Sequence, residues 1–416
     1  MIWWHHRAVL KGGSGRQWAM AAVVLVALGV LLPFGWDHTG ADLKVYRVGG
    51  LALLQDPLHL YDVHPVGISL PFTYPVFAAV VMIPAALLPW AVTYGASIAV
   101  SLVALAMIWA IGLRSFPVRP KFAVLLALFA ASILLEPVRE TLSYGQINLI
   151  LCALILYDAL DLKHRGRGIG IGIAAGIKLT PLVFLGFLLV TKQYKMFARA
   201  SAAFAGTVAL GFLITPDTSW RYWTSLITDT GRIGALAYTG NQSWNGFLVR
   251  LTGDPAGGGP IWLAVAVLTG LAGLYLARTL WLAGQRLAAV SVTGLISLLC
   301  SPVSWSHHWV WMLPMGIALV SAVHGRRRVI VGAAWYAAFA LAPIWWPPYS
   351  GDHEYDWNFW QQIPGNSYIW LGLGAAVFLW FGVRRDRLAN AEVPKTISGT
   401  GRGDGRRASN HSLYTE

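Results

Sequence analysis

Charge is scarce in this chain. Aspartate, glutamate, lysine and arginine make up 12% of its 416 residues, against about 25% in soluble domains. The mean hydropathy is +0.57. That shortage excludes a soluble globular fold and points to an integral membrane protein. Acids are scarcer than bases, 18 against 31, for a net charge of +13. In a soluble protein this excess would suggest nucleic acid. Here the bases sit in short clusters between apolar runs, the pattern of cytoplasmic loops on anionic lipid. Membrane lipids are therefore expected partners and nucleic acid is not. Cysteine is nearly absent: Cys152 and Cys300 both fall inside apolar runs, which argues against a disulfide framework or a thiolate metal site. A cleavage site is lacking too. The basic stretch Met1–Gln17 leads into an apolar run that continues to Pro33, Phe34 and Trp36, so it reads as a retained first helix. No soluble domain and no sequence repeat stand out.

Long apolar runs and tryptophan are plentiful. A membrane-crossing helix needs roughly 20 apolar residues. Candidates lie at 18–36, 73–89, 91–113, 121–136, 147–161, 169–190, 198–214, 260–280, 287–303, 307–323, 328–346 and 367–383. The fold expected is an all-α polytopic membrane protein of about a dozen helices, spanning 1–387, with a disordered cytoplasmic tail at 388–416. Many of the 21 tryptophans, such as Trp18, Trp36, Trp90, Trp345, Trp346 and Trp370, end apolar runs, where membrane interfaces place them.

Lysine and arginine set the orientation. Lys11 and Arg16, then Lys192, Lys195 and Arg199, Arg278 with Arg286, Arg326 to Arg328, and Arg384, Arg385 and Arg387 mark the cytoplasmic side. Both termini are then cytoplasmic. Segments 37–72, 215–259, 302–307 and 347–366 fall outside, and these hold most of the polar loop sequence. The middle resists this count. Five crossings from 73–89 through 169–190 leave Lys163, His164, Arg165 and Arg167 on the outer side. Prolines 75, 84 and 89 in one run, and Lys178, Thr180 and Pro181 in another, make each a candidate broken helix.

The chemistry-bearing residues concentrate in the outer segments. "GADLKVYRVGG" supplies Asp42, Lys44, Tyr46 and Arg47. Asn241, Gln242 and Ser243 lie in one later loop, and His307 and His308 in another. A carboxylate can take a proton from an attacking hydroxyl, while cations and hydroxyls can hold a phosphate. The bland alternatives are solvation for Lys44 and interfacial packing for the histidine pair. Lys178 sits in an apolar run, where a lysine is costly and signals function unless it snorkels to the interface. Gln146 and Asn148 belong to a polar island, "RETLSYGQIN", which also reads as a loop with a helix cap. Neither HExxH nor CxxC is present. No cofactor is required by this inventory; the tandem histidines with an acidic residue could hold a divalent metal, but none is predicted.

Taken in order, "ADLKVYRVGGLALLQDPLHLYD", "FTYPVFAAVVMIPAALLP", "GQINLILCALIL", "GIAAGIKLTPLVFL", "GNQSWNGFLVRL" and "SPVSWSHHWVW" resemble the polyprenyl-phosphate-mannose-dependent mannosyltransferases of glycosyltransferase family 87, of the GT-C fold group. The resemblance spans about residues 40–312 and has an actinobacterial flavour. It implies an enzyme at the outer face of the plasma membrane. Such an enzyme takes mannose from polyprenyl phosphomannose and places it, with inversion and in α-1,2 linkage, on a glycolipid acceptor. That acceptor is a phosphatidylinositol mannoside, or alternatively lipomannan. It also implies that Asp42 is the catalytic acid of the first external loop and acts as base. His307 and His308 match the paired histidines near donor phosphate, with His307 catalytic. Lys44, Tyr46, Arg47, Tyr74, Gln146, Asn148, Lys178, Asn241, Gln242, Ser243 and His308 become candidate substrate contacts. Arabinofuranosyl transfer from decaprenyl phosphoarabinose is the rival within enzymes. A lipid-linked sugar flippase is the rival outside them, and would show paired broken helices and a midplane site.

Overall fold

The computed structural model describes residues 40–117, 120–161, 165–254 and 257–391. The expected first helix at 18–36, Lys163, His164 and the tail beyond 391 lie outside them. Among the described residues the fold is all-helical, with one isolated antiparallel bridge between Asn241 and Trp305. In chain order the helices begin with α1 (Ala41–Gln55), α2 (Val76–Leu87), α3 (Trp90–Gly112), α4 (Phe122–Ile133), α5 (Glu136–Tyr144) and α6 (Asn148–Leu160). Then come α7 (Ile169–Ile177), α8 (Val183–Val190), α9 (Tyr194–Ile214), α10 (Pro216–Thr224) and α11 (Trp244–Thr252). The last are α12 (Gly259–Leu282), α13 (Arg286–Cys300), α14 (Met312–Ser321), α15 (Arg326–Ala340), α16 (Phe359–Gly365) and α17 (Ser367–Ala391).

Five segments are long and apolar enough to cross a membrane: Trp90–Ser115, Tyr194–Ile214, Gly259–Leu282, Arg326–Trp345 and Ser367–Arg385. α4 and α5 make a sixth if they count as one span bent by 68°. The chain is an integral membrane protein. α13 is buried all round, from Leu287 to Leu299, as expected of a helix apolar on every face, and forms the central pillar. α17 runs to Ala391, past the expected boundary at 387.

The bundle has two distinct ends. At one, the expected outer segments fasten to each other. Arg221 clasps Asp62 with two bonds of 2.6 and 2.7 Å, and Arg232 donates to the Tyr61 carbonyl at 2.6 Å. Gln242 N donates to Ser304 O at 2.8 Å, and Arg250 Nη2 donates to Asn366 Oδ1 at 2.6 Å. The basic clusters gather at the other end. Arg114 meets Asp161 at 3.8 Å, Arg199 bonds the Arg165 carbonyl at 2.9 Å, and Arg167 bonds the Ala159 carbonyl at 2.8 Å. Arg165 and Arg167 thus lie at the same end as the other bases, against the five-crossing count that would separate them.

Two runs counted as crossings explain that miscount. The run 73–89 forms a 12-residue helix, α2, shorter than a span needs, and folds back on α1. Its start packs on α1, with Phe72 against Gly49 and Tyr74 bonded to Tyr46 at 3.1 Å. Its end returns to α1, where Arg47 bonds the carbonyls of Ala85 and Leu88 at 3.1 and 2.8 Å. The run 169–190 instead goes in and comes back. Cβ atoms on Gly168, Gly172 and Gly176 would collide with Met196, Ala200 and Thr207 in that order. Only a stripe of small residues allows so close an approach, and the matching order makes α7 and α9 parallel. α8 between them therefore runs the opposite way. Pro181 at the tip has no N–H to continue a helix, and Lys178 is extended, at φ −144° and ψ 131°. The tip of this hairpin presents Lys178 to the bundle's interior.

Candidate active site

The site is assembled where α1, α5, the α7–α8 tip and the 301–311 segment meet. Asp42 sits in the first turn of α1, where the exposed N–H groups and helix dipole favour a carboxylate. α5 opens with Pro137 and closes at Gly145, whose φ is +68°. Gly145 N donates to Leu142 O, and Gln146 N to Thr141 O at 2.9 Å, the pattern of a left-handed helix cap. A side chain there would also press on Leu43, 2.7 Å from its Cβ. This cap turns the polar island inward. Gln146 Nε2 donates to Asp42 Oδ2 at 2.7 Å, and its Oε1 accepts from the Tyr46 hydroxyl at 2.5 Å.

His307 Nε2 stands 3.8 Å from Asp42 Oδ2, with the two side chains 8% and 16% exposed. A substrate can reach the pair while bulk water is largely kept away. The backbone of His307 is pinned through its carbonyl, by Thr141 Oγ1 at 2.8 Å and Asn148 Nδ2 at 3.0 Å. Its ring lies edge-on to His308, with centroids 4.7 Å apart. Lys178 Nζ donates to Asn148 Oδ1 at 3.0 Å and lies 3.0 Å from His308 Nε2. It also faces the Tyr74 ring at 5.8 Å. Burial pushes the Tyr74 phenol up to about 12 and raises Tyr46 as well, so both stay protonated and can donate.

Two cavities meet at Asp42. The first, of about 400 Å³, holds Lys178, His308, Tyr46, Tyr74 and Gln146 among mainly apolar walls such as Leu70, Ile227 and Ile296. The second, of about 490 Å³, holds His307, Arg139, Glu140, Tyr144, Tyr238 and Trp345. Asp42, Leu70, Ile233 and Trp305 line both. Among the described residues no three His, Cys, Asp or Glu side chains converge as a metal-ligand set. His308 Nε2 is engaged by the lysine rather than turned toward Asp42. The donor set in this site does not fit a divalent metal.

The structure therefore brings together Asp42, Tyr46, Tyr74, Gln146, Asn148, Lys178, His307 and His308. It places five other candidates elsewhere. Lys44 lies over the Trp90 ring at 5.4 Å. Arg47 is spent on the carbonyls at the end of α2. Asn241, Gln242 and Ser243 are fully buried and serve the loop framework. Asn241 Oδ1 accepts from Ser304 N, Gln242 Nε2 bonds Thr239 O and Gly365 O, and Ser243 caps α11 by accepting from Gly246 N. They hold Trp305, a wall of both cavities, without lining either. Sequence reasoning passed over Arg232, Tyr222 and Asp229 in the first cavity and Tyr144, Trp345 and Tyr349 in the second. No spacing marks these residues; only the folding of distant loops does.

The sequence model of glycosyltransferase family 87 matches residues 72–302. A polyprenol-phosphate-mannose-dependent alpha-(1-2)-phosphatidylinositol mannoside mannosyltransferase of Mycobacterium tuberculosis is 34% identical, over 86% of this chain and 88% of its own length. A polyprenol-phosphate-mannose-dependent alpha-(1-2)-phosphatidylinositol pentamannoside mannosyltransferase of Mycolicibacterium smegmatis is also 34% identical, over 80% of this chain and 86% of its own. No solved structure matches the chain.

Proposed function

The chain belongs to glycosyltransferase family 87, and from that premise we propose that it is an inverting α-mannosyltransferase. It moves mannose from polyprenyl phosphomannose to a phosphatidylinositol mannoside, in α-1,2 linkage. The observation that carries this reading is the position of Asp42, whose carboxylate belongs to both cavities. The first cavity has a buried cation for a phosphate and apolar walls for a prenyl chain. The second has the arginine, carboxylate and aromatic groups that bind a mannoside.

The chemistry follows from that placement. The acceptor hydroxyl, entering from the second cavity, gives its proton to Asp42. Its oxygen bonds to C1 of mannose from the face opposite the phosphate. The C1–O bond to phosphate breaks, and polyprenyl phosphate departs with the electron pair. Lys178 and His308 hold that phosphate and stabilise the charge it gains. His307 and Gln146 orient the carboxylate. The leaving group is already an anion of moderate basicity, so no general acid is needed.

The basic clusters at the far end support a cytoplasmic placement for that end and for both termini. The site end then faces the periplasm from the plasma membrane. Counted with the helix expected at 18–36, and with the α7–α8 hairpin entering and leaving at the same end, the chain contributes about a dozen membrane-embedded helices.

Purified protein in nanodiscs, given labelled polyprenyl phosphomannose and defined phosphatidylinositol mannosides, should yield a product longer by one mannose. An α-1,2-specific mannosidase should remove that residue. Transfer of arabinose from decaprenyl phosphoarabinose in place of mannose, or lipid-linked sugar crossing vesicles with no transfer, would overturn the proposal.

A further inference from the structure

A third cavity, of about 790 Å³, opens at the end of the bundle opposite the catalytic site. It is a groove between the starts of α13 and α15 and the ends of α14 and α17. Its floor and walls are apolar, with Ile330 and Phe381 both strongly exposed. Two glycines on α17, Gly374 and Gly382, shape it: a Cβ on either would meet no heavy atom within 4 Å. Room is therefore left beside α17 where an ordinary helix would carry side chains. Arg327 and Arg385 line the same groove.

The two stretches that supply those arginines are strongly basic. Residues 326–328 are three arginines, and 384–387 hold three more against a single acid, Asp386. Nothing in the catalytic account uses them. An apolar groove lined by two arginines suits one ligand chemistry: acyl chains with a phosphate at their polar end. Arginine's fork matches phosphate oxygens, and basic pockets between helices at this face are where anionic head groups bind. The chain's own tail is a poorer fit. Residues 392–416 carry four lysines and arginines against three acids and few apolar side chains, so they offer little net negative charge to the arginines and little apolar surface to the walls.

We propose that this groove is a binding site for one anionic glycerophospholipid of the membrane, with acyl chain along α17 and phosphate between Arg327 and Arg385. The site is distinct from the donor and acceptor cavities and does not depend on how those are assigned. Arg327 and Arg385 tie the ends of α15 and α17 together through the lipid phosphate. Bound lipid should therefore stiffen this end of the bundle.

Native mass spectrometry of the detergent-purified protein, titrated with phosphatidylglycerol or phosphatidylcholine, tests this directly. The wild-type chain should retain one phosphatidylglycerol in preference to phosphatidylcholine. Arg327→Glu and Arg385→Glu should each weaken that retention about fivefold or more. Gly382→Phe fills the groove while keeping every charge, and should lose the lipid as well. Lys195→Glu removes an exposed base elsewhere at the same end and should keep it. The proposal fails if the two lipids bind equally, if the variants hold phosphatidylglycerol as the wild type does, or if Lys195→Glu loses it equally. It also fails if deleting 392–416 opens the groove to lipid that the full chain excludes. All variants should elute as monodisperse protein and still transfer mannose, which separates lost lipid from lost fold.

Discussion

Lys178 Nζ and His308 Nε2 lie 3.0 Å apart, bringing together residues 130 positions distant in the chain. An ammonium can only donate. With Lys178 as the ammonium, Nε2 of His308 accepts and the imidazole carries its proton on Nδ1. The pair leaves the remaining ammonium hydrogens for Asn148 and for a ligand in the first cavity. Lys178→Met should remove the charge that stabilises the departing phosphate, lowering kcat by about 10²–10³-fold, the usual scale for losing one such donor. Lys178→Arg should recover part of that loss. A Lys178→Met enzyme with unchanged kcat in steady-state transfer would show that the phosphate is held elsewhere.

Gln146 joins the base to the tyrosine pair, with one amide atom on Asp42 and the other on Tyr46. Gln146→Leu keeps the volume but leaves two buried polar partners short of a bond, at roughly 1–3 kcal/mol each. Turnover should fall by tenfold or more, with little change in the KM for donor, because the carboxylate loses its orientation while the cavities keep their shape. Tyr46→Phe should show a smaller version of the same effect. A loss confined to donor KM would instead make Gln146 a substrate contact.

Lys44 and Arg47 are neighbours of Asp42 in sequence, and the structure gives them other work. Lys44→Met should keep kcat within about twofold, since the half-buried side chain packs on Trp90 outside both cavities; loss of one cation–π contact costs stability, roughly 0.5–1 kcal/mol, rather than turnover. Arg47→Ala should lower thermal stability by about 1–3 kcal/mol, because three carbonyls at the end of α2 lose their donor. A melting curve in detergent and a transfer assay on the same preparations distinguish the two roles.

The Asp62–Arg221 clasp carries a pH signature. Its hydrogen bonds from Arg221 hold the Asp62 carboxyl below its ordinary value of 3.8. A group with a depressed folded pKa contributes stability above its unfolded pKa and loses it as pH falls through the folded one. The contribution should therefore be fully present at neutral pH and fade below about pH 4. Both side chains are about 40% exposed, so the size is under about 1 kcal/mol. Asp62→Asn should lower the melting temperature slightly at pH 7, and the difference from wild type should shrink below pH 4. A gap that widens toward acid would contradict the sign.

The sequence made the helical fold visible because apolar runs and basic clusters report directly on the membrane. It also brought Asp42, Gln146, Asn148, Lys178, His307 and His308 into view through motif order. Hydropathy could not tell a crossing from a return. The run 73–89 is apolar because α2 packs on α1 and α9, and 169–190 because a hairpin buried in the bundle needs the same residues as a span. Loop polarity is ambiguous in the same way. Asn241, Gln242 and Ser243 are polar because a folded loop must satisfy its own backbone, and nothing local separates that demand from substrate binding. Arg232 and Trp345 enter the cavities only through contacts across the chain.

The measurement that tests the account most directly is single-turnover mannosyl transfer by Asp42→Asn, with donor binding measured on the same protein. Asparagine keeps the shape and can still meet Gln146 and His307, but it cannot take a proton. The account predicts that donor binding stays near wild type while transfer slows by roughly 10²–10⁴-fold, the range for losing a general base. Transfer at the wild-type rate would show that Asp42, placed between the two cavities, is not the group that activates the acceptor.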